Sequence, residues 1–378
     1  MKIGLYIHIP FCQQKCLYCD FPSHANLAHL YQPYVAALCR EISGWGGVLS
    51  GDVIDTIYIG GGTPTVLSIE SLGKILECVN TTFSISENAE ISIEANPGTV
   101  DQEKLLVLKT GGVNRISFGV QTFSDSLLQS IGRIHSAAQA VEAVQEAQKL
   151  CFHNINVDLM YGLPGQTLKQ WQDSVMQAIK LDVVHISAYG LKVEEGTPFA
   201  TMHQQGKLML PDEDIDEAMY EFVTEYLPKN DFVRYEISNF SKVGYECRHN
   251  LKYWRYSSYV GVGAAAHSFL KKERCSNIGD VSQYIKCIES GNSPIELKET
   301  PEMEIAMAEY VFLALRTVAG LSVEEFNAYF NSDFFREYGN ILSKLAAQKL
   351  ITVEENKIYL TVTGMKYGNV VFRAFLPD

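Results

Sequence analysis

From residue 3 to about 190, short apolar runs alternate with longer stretches whose apolar positions return every three or four residues. The short runs read as strands and the longer stretches as amphipathic helices, so the alternation predicts repeated strand–helix units on a parallel sheet. The expected strands are KIGLYIHI, DTIYIGG, EISIEANP, RISFGVQ, NINVDLMYGLP and VVHISAYGL. Helices are expected over Tyr31–Ile42, Ile69–Val79, Gln102–Thr110, Ala137–Leu150 and Leu168–Leu181. Six strands are too few for a closed eightfold barrel and suit a partial barrel that stays open along one side.

Beyond 190 the alternation fades. MLPDEDIDEAMYEF reads as a helix starting near Asp212, and residues 230–290 carry no clear period. A second unit begins near Ile295, where helix, turn and helix lead into two strand-like runs joined at EEN in KLITVEENKIYLTVTG. That order suggests a small winged-helix domain. The expected organisation is α/β, with a partial barrel over 1–230, an intermediate region over 231–294 and a winged-helix-like domain over 295–378. The last unit has twelve acidic against eight basic residues, and its third expected helix offers only Arg336, Lys344 and Lys349 as cations. A phosphate backbone is held mainly by Lys and Arg, so this domain is expected to pack or to contact protein rather than DNA.

The whole-chain charge points the same way: a formal net charge of -13 over 378 residues argues against broad nucleic-acid binding. The 47% hydrophobic content is enough for a sizeable core. No run of eighteen apolar residues occurs, and the opening KIGLYIHIPF is interrupted by His8 and Pro10, unlike an export signal. The expected location is the cytoplasm. Nine cysteines make an odd count, and six of them (Cys39, Cys78, Cys151, Cys247, Cys275 and Cys287) stand singly. Reduced thiols, not a disulfide framework, are expected.

The other three, Cys12, Cys16 and Cys19, fall within eight positions just after the first expected strand, in YIHIPFCQQKCLYCDF. In parallel α/β folds, the loops beyond the C-terminal strand ends converge on one rim and build the site. Polar or glycine residues recur at those ends: Gly60 to Thr63, Glu94, Asn96, Gln121, Asp158 and Tyr189. Glu94 and Asp158 each end an apolar strand, where a carboxylate is costly unless paired or facing a cavity. Capping of the next helix, or pairing with a base such as Arg133, is the plainer alternative. The three thiols admit two metal readings. Structural zinc wants four ligands, usually as two separated pairs; no second CxxC exists here, although His8 or His24 would serve as a fourth ligand. Three thiolates also serve a [4Fe-4S] cluster if one iron is left for a small molecule.

CxxxCxxC followed by a partial (β/α)6 barrel resembles the radical S-adenosylmethionine (SAM) enzymes. The surrounding YIHIPFCxxxC resembles their coproporphyrinogen dehydrogenase branch, HemN and HemW, over nearly the whole chain. The resemblance implies that Cys12, Cys16 and Cys19 hold three irons of a [4Fe-4S] cluster. It implies that SAM chelates the fourth iron, and that electron transfer can cleave SAM to a 5'-deoxyadenosyl radical. It further implies that Tyr6 and Tyr18 flank SAM, and that Gly61, Gly62 and Thr63 of GGGTP touch its methionyl end, where glycine lets backbone come close. Glu94 in SIEANP, Gln121 in SFGVQ, Arg133 in SIGRIH and Asp158 in NVDLMYGLPGQT complete the implied pocket.

Two features separate the branches. The oxygen-independent coproporphyrinogen oxidases carry a further cysteine in CxxxCxxCxC, and here that position is Phe21. They also have a long segment ahead of the first strand, whereas this chain opens five residues before Tyr6. The second feature is CRHNLKYWRY, residues 247–256, which matches the HNxxYW motif associated with haem binding in the haem-chaperone members. Read without that likeness, a single His among aromatics is more often a satisfied core residue. Imidazole is nevertheless a common axial ligand of haem iron, and neighbouring rings offer flat apolar area. The resemblance thus implies a chaperone that binds haem through His249, with Tyr253 and Trp254 in support, and delivers it to acceptor haemoproteins. The alternative is oxidative decarboxylation of coproporphyrinogen III. Peripheral membrane contact and a homodimer stay open. GVGAAA, residues 261–266, imitates a dinucleotide fingerprint, but no strand–helix–strand unit surrounds it and close backbone packing explains its small residues.

Overall fold

The computed structural model describes residues 1–377. Strands β1 (Lys2–Ile9), β2 (Val53–Gly61), β3 (Ile85–Ala95), β4 (Arg115–Gln121), β5 (Asn154–Tyr161) and β6 (His185–Gly190) lie side by side in chain order, all parallel. Helices Tyr31–Val48, Ile69–Thr82, Gln102–Thr110, Ala137–Lys149 and Leu168–Lys180 connect them. The last two open on capping boxes, Ser136 with Gln139 and Thr167 with Gln170, which satisfy first-turn donors reciprocally. Asp212 caps the helix Glu213–Tyr226 through the Ile215 N–H. β6 does not return to β1, so the barrel is partial and open.

Side chains alternate across this sheet. Ile3, Leu5 and Ile7 of β1, Ile57 and Ile59 of β2, and Ile116 and Phe118 of β4 are buried on the face that packs against the helices. The other face is polar and in register. Tyr6 stands beside Tyr58 and Tyr58 beside Ser92; Glu94 stands beside Ser117, which stands beside Asn156; Asp158 stands beside Ser187. A parallel strand buried in apolar surroundings on both faces reads as one continuous apolar run. These strands alternate instead, because their inner face looks into the barrel.

The expected boundaries at 230 and 294 do not correspond to breaks in the fold, since the intermediate region supplies strands to the same sheet. These are β7 (Val233–Arg234), β8 (Asn239–Ser241), β9 (Tyr259–Val262), β10 (His267–Leu270), β11 (Glu273–Asn277) and β12 (Ile295–Glu299). β8 and β7 extend the β6 edge, while β9 runs parallel to β1 and leads into antiparallel β10, β11 and β12, giving twelve strands in all. Strands of two to five residues are too short to display a period, which is why the pattern faded there. The GVGAAA run forms β9 and the turn after it. A Cβ on Gly261 would lie 2.1 Å from the His267 carbonyl oxygen, so glycine lets β10 fold back.

Past β12, helices Met303–Leu315, Val323–Phe330 and Phe334–Ala347 combine with β13 (Leu321–Ser322), β14 (Ile351–Glu354) and β15 (Lys357–Leu360). The antiparallel order β13–β15–β14 and the helix order are those of a winged helix. It has its own core, built around Phe326, Phe334, Leu342 and Ile358. Ion pairs Arg274–Glu309 and Lys366–Glu217, and a 3.0 Å bond from the Val318 N–H to the Tyr235 carbonyl, fasten it to the barrel. Among the described residues no helix is long and apolar enough to cross a membrane.

Candidate metal centre and cofactor pocket

The C-terminal ends of β1 to β5 surround one cavity. Cys12, Cys16, Cys19, Tyr18, Gly61, Gly62, Thr63, Glu94, Gln121, Arg133 and Asp158 all line it. Tyr6 instead lines an adjoining cavity, together with Tyr253. The cysteine loop is anchored by the chain itself: the Cys12 N–H donates to the His24 carbonyl at 3.0 Å, and the His24 N–H to the Pro10 carbonyl at 2.8 Å. His8 is buried, with one ring nitrogen 2.9 Å from the Tyr6 hydroxyl and the other 2.9 Å from the Pro22 carbonyl oxygen, so it is not a fourth metal ligand. All nine cysteines are free.

Two glycines of GGGTP serve this loop directly. A Cβ on Gly62 would lie 2.5 Å from the Phe11 carbonyl oxygen and 3.0 Å from Cys12 Sγ, and Gly61 has φ +113° with its Cβ position 2.5 Å from the His8 ring. The resemblance reserves these glycines for SAM, but the cluster loop alone already requires them. Thr63 Oγ1 donates to Cys12 Sγ at 3.6 Å. Arg133 donates from Nη1 to Cys16 Sγ at 3.5 Å and from Nη2 to the Gly119 carbonyl, while its buried Nε has no partner among the described residues. A permanent positive charge therefore stands beside a sulfur that would ligate metal as thiolate.

The carboxylates line the same cavity. Glu94 accepts from the Tyr58 hydroxyl at 2.9 Å and the Gly61 N–H at 3.1 Å. Burial pushes its carboxyl up to about 7, with the Asp158 charge adding to the rise. Asp158 accepts from Asn156 Nδ2 at 2.7 Å and Ser117 Oγ at 3.1 Å. Gln121 reaches the cavity from a left-handed backbone, φ +66°. The cavity thus offers three thiols and two carboxyl acceptors, suited to a ligand with a cationic amino group.

A second polar cluster, which sequence reasoning missed, lies at the earlier residues of the same strands. Glu90 accepts from the backbone N–H groups of Arg248 and His249, both at 3.0 Å, and from Cys247 Sγ at 3.7 Å. It thereby caps the helix Arg248–Trp254 that carries HNLKYW. Lys252 pairs with Asp55 at 2.7 Å, and both are largely buried. Arg115, 2% exposed, sits near Cys247, Glu90, Tyr58 and Tyr235. His185 bridges Asn156 at 2.5 Å and the Tyr235 hydroxyl at 2.7 Å. The legible signal was a charge at the start of an apolar strand, as in Glu90 and Arg115.

The motif residues are placed unlike the expectation. His249 is fully buried, with Nδ1 3.0 Å from Thr56 Oγ1 and Nε2 2.8 Å from the Tyr253 hydroxyl, and its ring stacks on Tyr58 at 5.4 Å. Burial, with the Lys252 and Arg115 charges, pushes the imidazole down to about 3, so it is neutral. Both nitrogens are occupied, and it is not presented to a ligand. Trp254 faces the winged helix, with the Arg316 guanidinium 4.4 Å from its ring centroid. Only Tyr253 reaches a cavity.

Residues 6–178 match the Radical SAM superfamily model, and residues 304–366 match the HemN C-terminal domain. Heme chaperone HemW of Bacillus subtilis (strain 168) is 41% identical over 374 residues, 99% of either chain. Its counterpart in Lactococcus lactis subsp. lactis (strain IL1403) is 37% identical over 376 residues, 99% of this chain and 97% of that one. The chain belongs to the HemW family of radical SAM proteins. The solved coproporphyrinogen III oxidase HemN from Escherichia coli superposes with a TM-score of 0.87 over 99% of this chain and 90% of that one; at 22% identity this establishes the fold alone.

Radical SAM membership implies a [4Fe-4S] cluster and SAM. The residues present fit both. Three thiols from one loop line the cavity, and His8, a candidate fourth zinc ligand, has both ring nitrogens engaged. A cluster in which each cysteine binds one iron and one iron is left for a small molecule matches that donor set. When bound, it supplies an electron and an open iron position. The chain's own part is to hold the loop through Gly62, to place the Arg133 charge against Cys16, and to line the same cavity with Glu94 and Asp158.

Proposed function

We propose that this chain is a haem chaperone, which binds haem beside the cluster rim and hands it to acceptor haemoproteins in the cytoplasm. Full-length likeness to HemW chaperones carries the reading. Within it, Cys12, Cys16 and Cys19 hold the cluster, and SAM lies against Tyr18, Gly61, Gly62, Thr63, Glu94, Gln121, Arg133 and Asp158, with Tyr6 on the neighbouring wall. The HNLKYW helix contributes Tyr253 to the haem side, and His249 holds the Tyr253 hydroxyl from behind.

The test is direct. Protein reconstituted anaerobically with iron and sulfide is mixed with haem, and the absorption spectrum is followed before and after addition of an apo-haemoprotein. A bound-haem spectrum that moves to the acceptor is the expected result. The second reading, coproporphyrinogen III dehydrogenase, draws on the HemN-like fold. Decarboxylated product from coproporphyrinogen III under reducing, anaerobic conditions would favour it over the chaperone.

A further inference from the structure

Beside the cluster cavity lies a second one, of about 260 Å³, lined by Tyr6, His8, Phe21, Pro22, Tyr253, Tyr259, Ala265 and His267, with Gly61 and Glu94 shared between the two. Phe21, the residue standing where the oxidases carry a further cysteine, belongs to both cavities and is 62% exposed. Such exposure is unusual for a phenyl ring, and next to the rings of Tyr253 and Tyr259, which meet edge to face at 4.6 Å, it makes an aromatic wall.

The histidines here differ sharply. His8 and His249 have both nitrogens engaged, as described above. His267, on β10, is exposed at the cavity, and neither of its ring nitrogens has a hydrogen-bond partner among the described residues. Its imidazole is free at the mouth of this cavity.

We propose that His267 is the axial ligand of haem iron, with the porphyrin lying against Phe21 and Tyr259 in this cavity; the inference rests on the haem-chaperone reading above. An imidazole nitrogen aimed from an aromatic wall is the donor haem iron takes. A cavity of about 260 Å³ receives one edge of a porphyrin and leaves the remainder in solvent. That arrangement suits delivery. One protein ligand leaves the opposite axial position of the iron open to an incoming ligand of the acceptor, and the exposed edge needs no unfolding of the donor to leave. Lys15, whose Nζ is held 3.0 Å from the Phe21 carbonyl, supplies a cation within reach of a propionate at that edge.

Cluster-loaded protein is titrated with ferric haem and followed by absorption and electron paramagnetic resonance, for wild type, His267→Ala, Phe21→Ala and Tyr253→Phe. Substitution of an exposed side chain such as His267 leaves the fold intact, which circular dichroism and an unchanged iron–sulfur spectrum verify. Wild type is expected to bind haem with a histidine-ligated spectrum; His267→Ala loses that spectrum and at least tenfold in affinity, and added imidazole restores the spectrum. Phe21→Ala is expected to lose several-fold in affinity and Tyr253→Phe a smaller factor, both with the ligation spectrum unchanged. Retention of the wild-type spectrum by His267→Ala, or its loss in Tyr253→Phe alone, overturns the assignment. Failure of wild type to bind haem at all would instead remove the chaperone reading on which it rests.

Discussion

The rim and the floor of the partial barrel are built from the same strands, yet their polar groups behave in opposite ways. At the rim, Cys12, Cys16, Cys19, Glu94 and Asp158 face one cavity, and part of their bonding capacity is left unused. At the floor, Glu90, Thr56, His249, His185 and Asn156 face one another, with their donors and acceptors matched. Buried polar groups are tolerable when paired, and costly when not. Charge at the start of a strand here is matched by other protein groups, and charge at its end faces a cavity. Substitutions at the rim should therefore abolish binding with little loss of stability, and those at the floor the reverse.

The sharpest contrast is expected from Cys16→Ala, which removes one of three thiols. Iron content after anaerobic reconstitution should fall to background while the melting temperature of the metal-free protein stays that of wild type; a retained cluster would break the comparison. Gly62→Ala should follow closely, because its Cβ would force aside the Phe11 carbonyl and Cys12 Sγ, 2.5 and 3.0 Å away. Here cluster occupancy measured by absorption is expected to drop severalfold.

On the floor, Glu90→Gln replaces one acceptor by a donor facing backbone N–H groups, and removes a countercharge for buried Arg115. A loss of about 3 kcal/mol in urea unfolding is expected, with reconstituted iron per folded molecule unchanged. Loss of the cluster without loss of stability would show that floor and rim are not separable.

Smaller effects come from pH. The Glu94 carboxyl is raised in the folded protein to about 7 from an ordinary 4.5, so folding favours its protonated form. That contribution is complete below the unfolded value and is lost as pH rises through about 7. Glu94→Gln should accordingly gain stability relative to wild type between pH 5 and pH 8 in the metal-free protein, and lose SAM affinity at the higher pH. Denaturant midpoints that run parallel across this range would contradict the burial of Glu94. Least of all, Tyr58→Phe keeps the ring stacked on His249 but withdraws one donor from Glu94. It is expected to move the same transition upward in pH, at a cost of about 1 kcal/mol at pH 8.

The parallel units and the thiol loop were legible because each rests on local pattern. A period of two over seven or more residues marks a strand, and a spacing of three and two between cysteines marks a shared centre, whatever the rest of the chain does. The helices at 102–110 and 168–180 start and stop within one residue of expectation, since caps and periodicity are also local. Residues 231–299 were not legible: their strands are too short to show a period and exist because β1 and β6 offer open edges to pair with.

The amino-acid sequence by itself thus determined the partial barrel, the winged-helix order and the grouping of Cys12, Cys16 and Cys19 on one loop, because those are statements about periodicity and spacing; the residues expected around that loop came from the family resemblance. The tertiary structure alone decided which histidines have their nitrogens engaged. In the sequence, His8, His249 and His267 are equivalent imidazoles near aromatic residues. Packing occupies both nitrogens of the first two with Tyr6, Pro22, Thr56 and Tyr253 and leaves the third facing a cavity. A side chain's hydrogen-bonding capacity is a property of its residue type, but whether that capacity is spent depends on neighbours up to 193 positions away along the chain.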